Sequence, residues 1–250
     1  MPQTIAFLGA TGGCGLSTIA RSLSASHSCL ALCRTPSRLT TSLESLYPGT
    51  PTSTLTIIEG DALDESAVSR ALTHPSDPSR LVDTVVFSIG SAFDAKKLSI
   101  EDLHICENAM KVLLSAMDSV VERTGARYPR VIAVSSTGIS DKGRDVPLLL
   151  VPLYHMLLSE PHEDKKKLET LLRNGKGSEW TLVRPTLLKD GVSKPETKIR
   201  VGVENFDTGV VEKREMGYII TRDDVGRWMF ENLVEGGGEG YLRKAVSLTT

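Results

Sequence analysis

The sequence lacks a strong excess of either charge. Its 29 Lys and Arg meet 31 Asp and Glu, a formal net charge of -2. The one short basic run, Lys165-Lys166-Lys167, is flanked by acids. Nucleic-acid binding needs a strong positive field, so that class is disfavoured. Long apolar runs are missing too. The longest candidate, residues 147–158, contains two prolines and a histidine and falls short of the roughly 20 residues needed to span a bilayer. The first apolar run, Ile5 to Leu8, is of strand length and is followed at once by glycines, so it reads as a strand rather than a secretory signal. Cysteine is scarce. Cys14, Cys29, Cys33 and Cys106 match no zinc spacing, so no metal site is expected, and the thiols are read as reduced in a cytoplasmic protein. No internal repeat or low-complexity segment is visible. What remains is a soluble chain of 250 residues, long enough to bury a core without disulfides or metals.

The pattern that is present alternates. Strand-length apolar runs occur at residues 4–8, 29–33, 55–58, 82–87, 131–134 and 180–183, and helical spacings at 16–24, 63–72, 99–121 and 163–172. Near-continuous apolar strands separated by helices indicate a parallel sheet covered on both faces, hence an α/β, doubly wound architecture. Asp61 or Asp64 is the expected N-cap of the second helix. After residue 185 the pattern weakens. Residues 189–214 are rich in Gly, Pro and charge and read as an irregular loop. A short strand at 218–220, a helix opened by Thr221 and Asp224 in capping-box spacing and ended by Gly236-Gly237-Gly238, and a last strand at 245–248 follow. One domain over 1–250 is expected, with 186–250 forming most of a small substrate-side lobe.

Gly9-Ala10-Thr11-Gly12-Gly13-Cys14-Gly15 lies between the first strand and the first helix. A Gly-x-x-Gly-x-x-Gly turn in that position allows a tight turn, lets a pyrophosphate approach the backbone, and packs helix closely on strand. The helix N-terminus then offers free N–H groups to the phosphates. The second strand ends Cys33-Arg34, with Arg38 beyond and no carboxylate between Arg34 and Glu44. A carboxylate there would bind a ribose 2′-hydroxyl, whereas an arginine suits a 2′-phosphate. The expected cofactor is therefore NADP(H). Asp61 and Ala62 after the third strand, and Ser88, Ile89 and Gly90 after the fourth, stand where the adenine and the middle of the cofactor would be met, although both segments also suit plain turns.

Together these residues resemble the atypical short-chain dehydrogenases, in particular the NmrA-like, NAD(P)H-binding branch that includes flavin and biliverdin reductases. The resemblance runs through Gly60-Asp61-Ala62-Leu63-Asp64, Val134-Ser135-Ser136-Thr137-Gly138, Glu179-Trp180-Thr181-Leu182-Val183-Arg184-Pro185 and Ile220-Thr221-Arg222-Asp223-Asp224-Val225-Gly226-Arg227. It implies a Rossmann fold with a substrate above the nicotinamide, and a cofactor contact from one of Lys165 and Lys166. Ser135 and Ser136 stand at the carboxyl end of the fifth strand, the edge where open α/β sheets bind ligands, and either touch the cofactor or substrate or bond their own loop; Pro185, at the end of the sixth strand, is counted with the cofactor contacts. The Tyr-x-x-x-Lys pair of the better-known short-chain dehydrogenases is absent, because Tyr154 is followed four residues later by Leu158. His162-x-x-x-Lys166 keeps the spacing with a different acid, and histidine can exchange a proton near neutral pH. Ser136, Tyr154, His155, His162 and Lys166 are the candidates for catalysis. The leading expectation is an NADPH-dependent oxidoreductase acting on a small or medium apolar carbonyl, quinone or flavin-like acceptor. The alternatives are an NADP(H)-sensing regulatory protein without turnover and a non-redox isomerase or cyclase in the same cleft. A small-molecule substrate is expected; monomer and homodimer both remain open.

Overall fold

The computed structural model describes residues 1–90, 93–94, 99–100, 102–148, 159–177 and 179–250. Tyr154 and His155 lie outside the described residues.

Six parallel strands form the centre: β1 (Thr4–Leu8), β2 (Ser28–Cys33), β3 (Leu55–Glu59), β4 (Thr84–Phe87), β5 (Arg130–Val134) and β6 (Trp180–Pro185). They are joined by β7 (Arg200–Asn205), β8 (Val210–Lys213) and β9 (Lys244–Thr249). The sheet order is β8-β7-β9-β6-β5-β4-β1-β2-β3. The run 3-2-1-4-5-6 within it is the doubly wound Rossmann order, whose direction reverses between β1 and β4. β9 continues the sheet parallel to β6, while β7 is antiparallel to β9, and β8 to β7.

Period-two alternation splits β1 between two cores. Ala6 and Leu8 pack on the face covered by α3 (Glu65–Leu72), α4 (Ile105–Thr124) and α5 (Ser159–Asn174). Ile5 and Phe7 pack on the face of α1 (Gly13–Ser24), α2 (Pro36–Leu46) and α6 (Arg222–Met229). All four side chains are fully buried. Burial on both faces is what the near-continuous apolar runs required.

Residues 189–214 are not an irregular loop throughout. The period-two pair Val201 and Val203 faces the core of β9 and closes the β7–β8 hairpin onto the sheet edge. Glycine and charge masked a strand of only six residues. A second feature outside the sequence reading is α2, which starts with Pro36 at its first turn and buries only Leu39 and Leu43. The long helix begins at Ile105 rather than residue 99. Asp64 is the N-cap of α3 and accepts from Ser66 N, while Asp61 caps the preceding turn by accepting from Leu63 N. At α6, Thr221 Oγ1 accepts from Asp224 N and donates to the Asp224 carboxylate, a variant of the capping box in which the acid holds the cap hydroxyl. A wider turn at residues 230–235 ends that helix at Gly236. Among the described residues, no helix is long and apolar enough to cross a membrane.

Candidate functional site

The glycine turn joins β1 to α1 at the strand-order reversal. Its glycines do different jobs. A Cβ on Gly15 would sit 2.5 Å from Gly9 O, and a Cβ on Gly9 would sit 2.7 Å from the Ser88 carbonyl carbon, so the turn is pressed against the loop after β4. Gly9 also has φ +99, a conformation open to glycine. Gly12 is the reverse case: a Cβ there would meet nothing within 4 Å. Its backbone faces open space at the head of α1, which has no side-chain cap and no acid in its first turn. Unpaired N–H groups and the positive dipole end are therefore presented outward. Ala10 is fully buried and Thr11 half-buried. Cys14 is buried and desolvation pushes its thiol up to about 12, despite the pull of Arg222 and Lys165, so it is a packing residue rather than a reactive one.

The carboxyl ends of β4 and β5 meet a single lysine. Lys165 Nζ donates to Ile89 O at 2.8 Å and to Val134 O at 2.9 Å. An ammonium has three donors, and a Cβ on Gly90 would lie 3.9 Å from this nitrogen. Lys166 turns outward to pair with Asp141 at 2.6 Å on the surface. The question of which lysine faces the cleft thus resolves to Lys165. Ser88 Oγ is spent on Gly9 O at 3.0 Å. Asp61 and Ala62 are half-buried after β3, with one Asp61 oxygen engaged in its own turn. Arg34 and Arg38 are exposed beyond β2, and among the described residues no carboxylate pairs with either.

After β5, Ser136 Oγ lies 3.4 Å from His162 Nε2 and donates to Thr137 O at 2.9 Å. Pro185 is buried, and its carbonyl accepts from Thr137 N and Oγ1. Ser135 Oγ, on a residue 4% exposed, has no hydrogen-bond partner among the described residues. A buried hydroxyl without a partner costs free energy unless something fills the role. Open backbone at Gly12, a spare lysine donor and an orphan hydroxyl on the same sheet edge fit a dinucleotide lying across the strand-order reversal.

A family model described as NAD(P)H-binding matches residues 9–235. The chain belongs to the NAD(P)H-binding family. Two curated relatives align over nearly their whole length. Reductase pytE of Aspergillus terreus is 37% identical over 263 residues, covering 98% of this chain and 97% of that protein. Oxidase pynE of Aspergillus niger is 34% identical over 285 residues, covering 98% of each. Among solved structures, a short-chain dehydrogenase/reductase from Veillonella parvula in complex with NADP superimposes with a TM-score of 0.71 at 18% identity, over 100% of this chain and 95% of that one. The anaerobilin reductase ChuY from Escherichia coli O157:H7 gives 0.64 at 19% identity, over 99% and 96%. These two show a shared fold.

Two polar clusters of this NAD(P)H-binding protein escaped the sequence reading. Asp223, at the start of α6, receives Ser17 Oγ, Arg21 Nη1, Tyr47 Oη and Ser193 N within 2.8 Å. Burial raises its pKa, but these donors outweigh it and hold the carboxyl at about 2. The cluster ties α1, α2 and the 190s segment together. Arg184, deep in β6, is gripped by Glu169 of α5 through two bonds of 2.8 and 2.6 Å and by Glu204 of β7 at 2.7 Å. The Arg-Pro that stood out in the sequence is thus a buried brace. Only the period-two placement of Glu204 opposite β9 could have signalled its partner.

Proposed function

We propose that this protein is an NADPH-dependent oxidoreductase that reduces a small or medium apolar carbonyl, quinone or flavin-like acceptor. The observation that carries the reading is the open backbone at Gly12, at the uncapped head of α1, with two exposed arginines beyond the neighbouring strand that pair with no carboxylate among the described residues. Gly12 and Gly13 would take the pyrophosphate, and Arg34 with Arg38 the adenosine 2′-phosphate through charge-assisted bonds. Ala10, Thr11, Asp61 and Ala62 would border the adenosine half, and Ser88, Ile89, Gly90 and Pro185 the middle and the nicotinamide side. When bound, the cofactor supplies the hydride. Lys165 keeps β4 and β5 in register and offers its remaining donor to the ribose side. Ser135 would orient the nicotinamide or the acceptor carbonyl.

The acceptor's proton is assigned to the Ser136–His162 pair. Pro161 stands four residues before Lys165, where the tyrosine of a Tyr-x-x-x-Lys pair would fall. Imidazole can replace a phenol as donor near neutral pH. The segment from Thr186 to Ile199, with its parallel ribbon Leu187–Lys189 against Ile219–Thr221, forms the substrate-side wall. Exposed Leu187 and Val192 on this segment, and Tyr218 just before Ile219, suit an apolar acceptor. That the relatives bear the names reductase and oxidase supports redox chemistry here. The missing tyrosine favours a second reading, a sensor that binds the cofactor without turnover. NADPH consumption measured against a panel of aldehydes, ketones, quinones and free flavins separates the two. Oxidation with at least one acceptor, reduced at least tenfold in His162→Ala, is expected. Tight NADPH binding with no oxidation by any acceptor would sink the enzymatic reading in favour of the sensor.

A further inference from the structure

We propose that Arg222 is a further phosphate-binding cation of this site, held in reserve by Asp190 and transferred to the cofactor's pyrophosphate on binding. The inference rests on the cofactor reading above. Arg222 opens α6, directly after its cap Thr221. Its stem lies along the glycine turn: a Cβ on Gly13 would lie 3.4 Å from Arg222 Cδ and 3.8 Å from its Nε. The guanidinium is thus carried beside the same backbone that presents the N–H groups of α1. Its field reaches the turn, because Arg222 and Lys165 both act on the Cys14 thiol against the dominant effect of burial. No acid in the first turn of α1 neutralises them.

The partner that Arg222 holds is easily given up. Arg222 Nη1 donates to Asp190 Oδ1 at 2.8 Å, and the Asp190 side chain is 94% exposed. Ion pairs in full solvent contribute little, whereas a diphosphate offers more charge and charge-assisted bonds at a helix N-terminus. The neighbouring acids do not compete for the guanidinium. Asp223 is occupied by Ser17, Arg21, Tyr47 and Ser193. Asp224 is occupied by Thr221 and Ser193, with Arg227 at 3.5 Å. The same bonds anchor the start of α6, so the arm of Arg222 springs from a fixed point.

A place-holder and a structural tether make opposite predictions for Asp190. Removing a place-holder strengthens cofactor binding; removing a tether weakens it or does nothing. The test titrates the full chain with NADPH and separately with NADH, following nicotinamide fluorescence, for wild type, Arg222→Gln, Arg222→Lys, Asp190→Asn and the Arg222→Gln/Asp190→Asn double variant. Thermal melts without ligand check folding. Arg222→Gln is expected to weaken both dinucleotides alike, by roughly tenfold, since the pyrophosphate is common to them. Arg222→Lys should recover much of that loss. Asp190→Asn should tighten both by about two- to fivefold, and should have no effect once Arg222 is Gln. Unchanged binding in Arg222→Gln, unchanged or weaker binding in Asp190→Asn, or an Asp190 effect that persists without Arg222 overturns the proposal. Weakening of NADPH alone also overturns it, by moving Arg222 to the 2′-phosphate. A wild type that binds neither dinucleotide defeats the cofactor reading itself, whereas a wild type that binds both and variants that match it defeat only the role of Arg222.

Discussion

Arg184→Met should be among the most damaging single substitutions in this protein. Arg184 and Glu169 side chains are 5% and 4% exposed, and Glu204 is 9% exposed. Burial works against the guanidinium's charge, yet Glu169 and Glu204 hold it more firmly protonated than usual. Glu204 also accepts from Ser140 Oγ at 2.7 Å, and the Phe206 ring lies 5.7 Å from the guanidinium. Removing the cation leaves two carboxylates desolvated and repelling each other. Breaking a buried pair costs about 3–5 kcal/mol. In a chain of this size each kcal/mol shifts Tm by about 2–4 °C, so a fall of about 6–20 °C is expected in far-UV circular dichroism melts. The triple variant Arg184→Met/Glu169→Leu/Glu204→Leu removes the stranded charges with their partner and should recover most of the loss. A single variant that melts within about 1 °C of wild type, or a triple variant as unstable as the single, would show that the buried charge cluster does not brace the fold.

Three further outcomes follow from the same geometry. Gly12→Val should melt within about 2 °C of wild type because its space is open, yet lose dinucleotide binding in a fluorescence titration; Gly15→Ala should instead lower Tm, since its Cβ meets Gly9 O at 2.5 Å. Asp223 is held at about 2, below its ordinary 3.8, so its contribution, about 2 kcal/mol, is whole above about pH 4 and drains as pH falls towards 2; urea melts from pH 5 to 2 should show a shallower loss in Asp223→Asn, and equal slopes would contradict the assignment. Lys165→Met should impair cofactor binding and lower Tm, while Lys166→Met, which gives up only a surface pair with Asp141, should do neither.

The central sheet was legible in the sequence because parallel strands covered on both faces are mostly apolar, and β1, β2, β4, β5 and β6 are, with Arg184 of β6 the buried exception. The glycine turn was legible because close backbone approach admits no side chain at Gly9 or Gly15. Elements that bury little were not. The α2 helix rests on Leu39 and Leu43 alone, and the β7–β8 hairpin lies at an edge where Glu204 and Gly202 interrupt the apolar pattern. At the site, composition could place Lys165 and Lys166 on one helix but not choose between them, because adjacent residues differ by about 100° around the axis. The choice came from the carbonyls of Ile89 and Val134. Arg222 and Asp223 stood in a motif, but their partners could not be read from it: Ser17 lies 206 residues from Asp223 and Asp190 lies 32 from Arg222, distances that no local pattern spans.

The proposed function has the turn at Gly9–Gly15 hold a nicotinamide dinucleotide and Arg34 read its 2′-phosphate. The most direct measurement is the ratio of NADH to NADPH dissociation constants for wild type and for Arg34→Asp, by calorimetric titration at fixed salt. Wild type is expected to prefer NADPH by roughly tenfold or more, the worth of one charge-assisted phosphate contact, and Arg34→Asp to abolish or invert the preference with little change for NADH. A wild type that prefers NADH, or an Arg34→Asp variant whose preference for NADPH is unchanged, would contradict it.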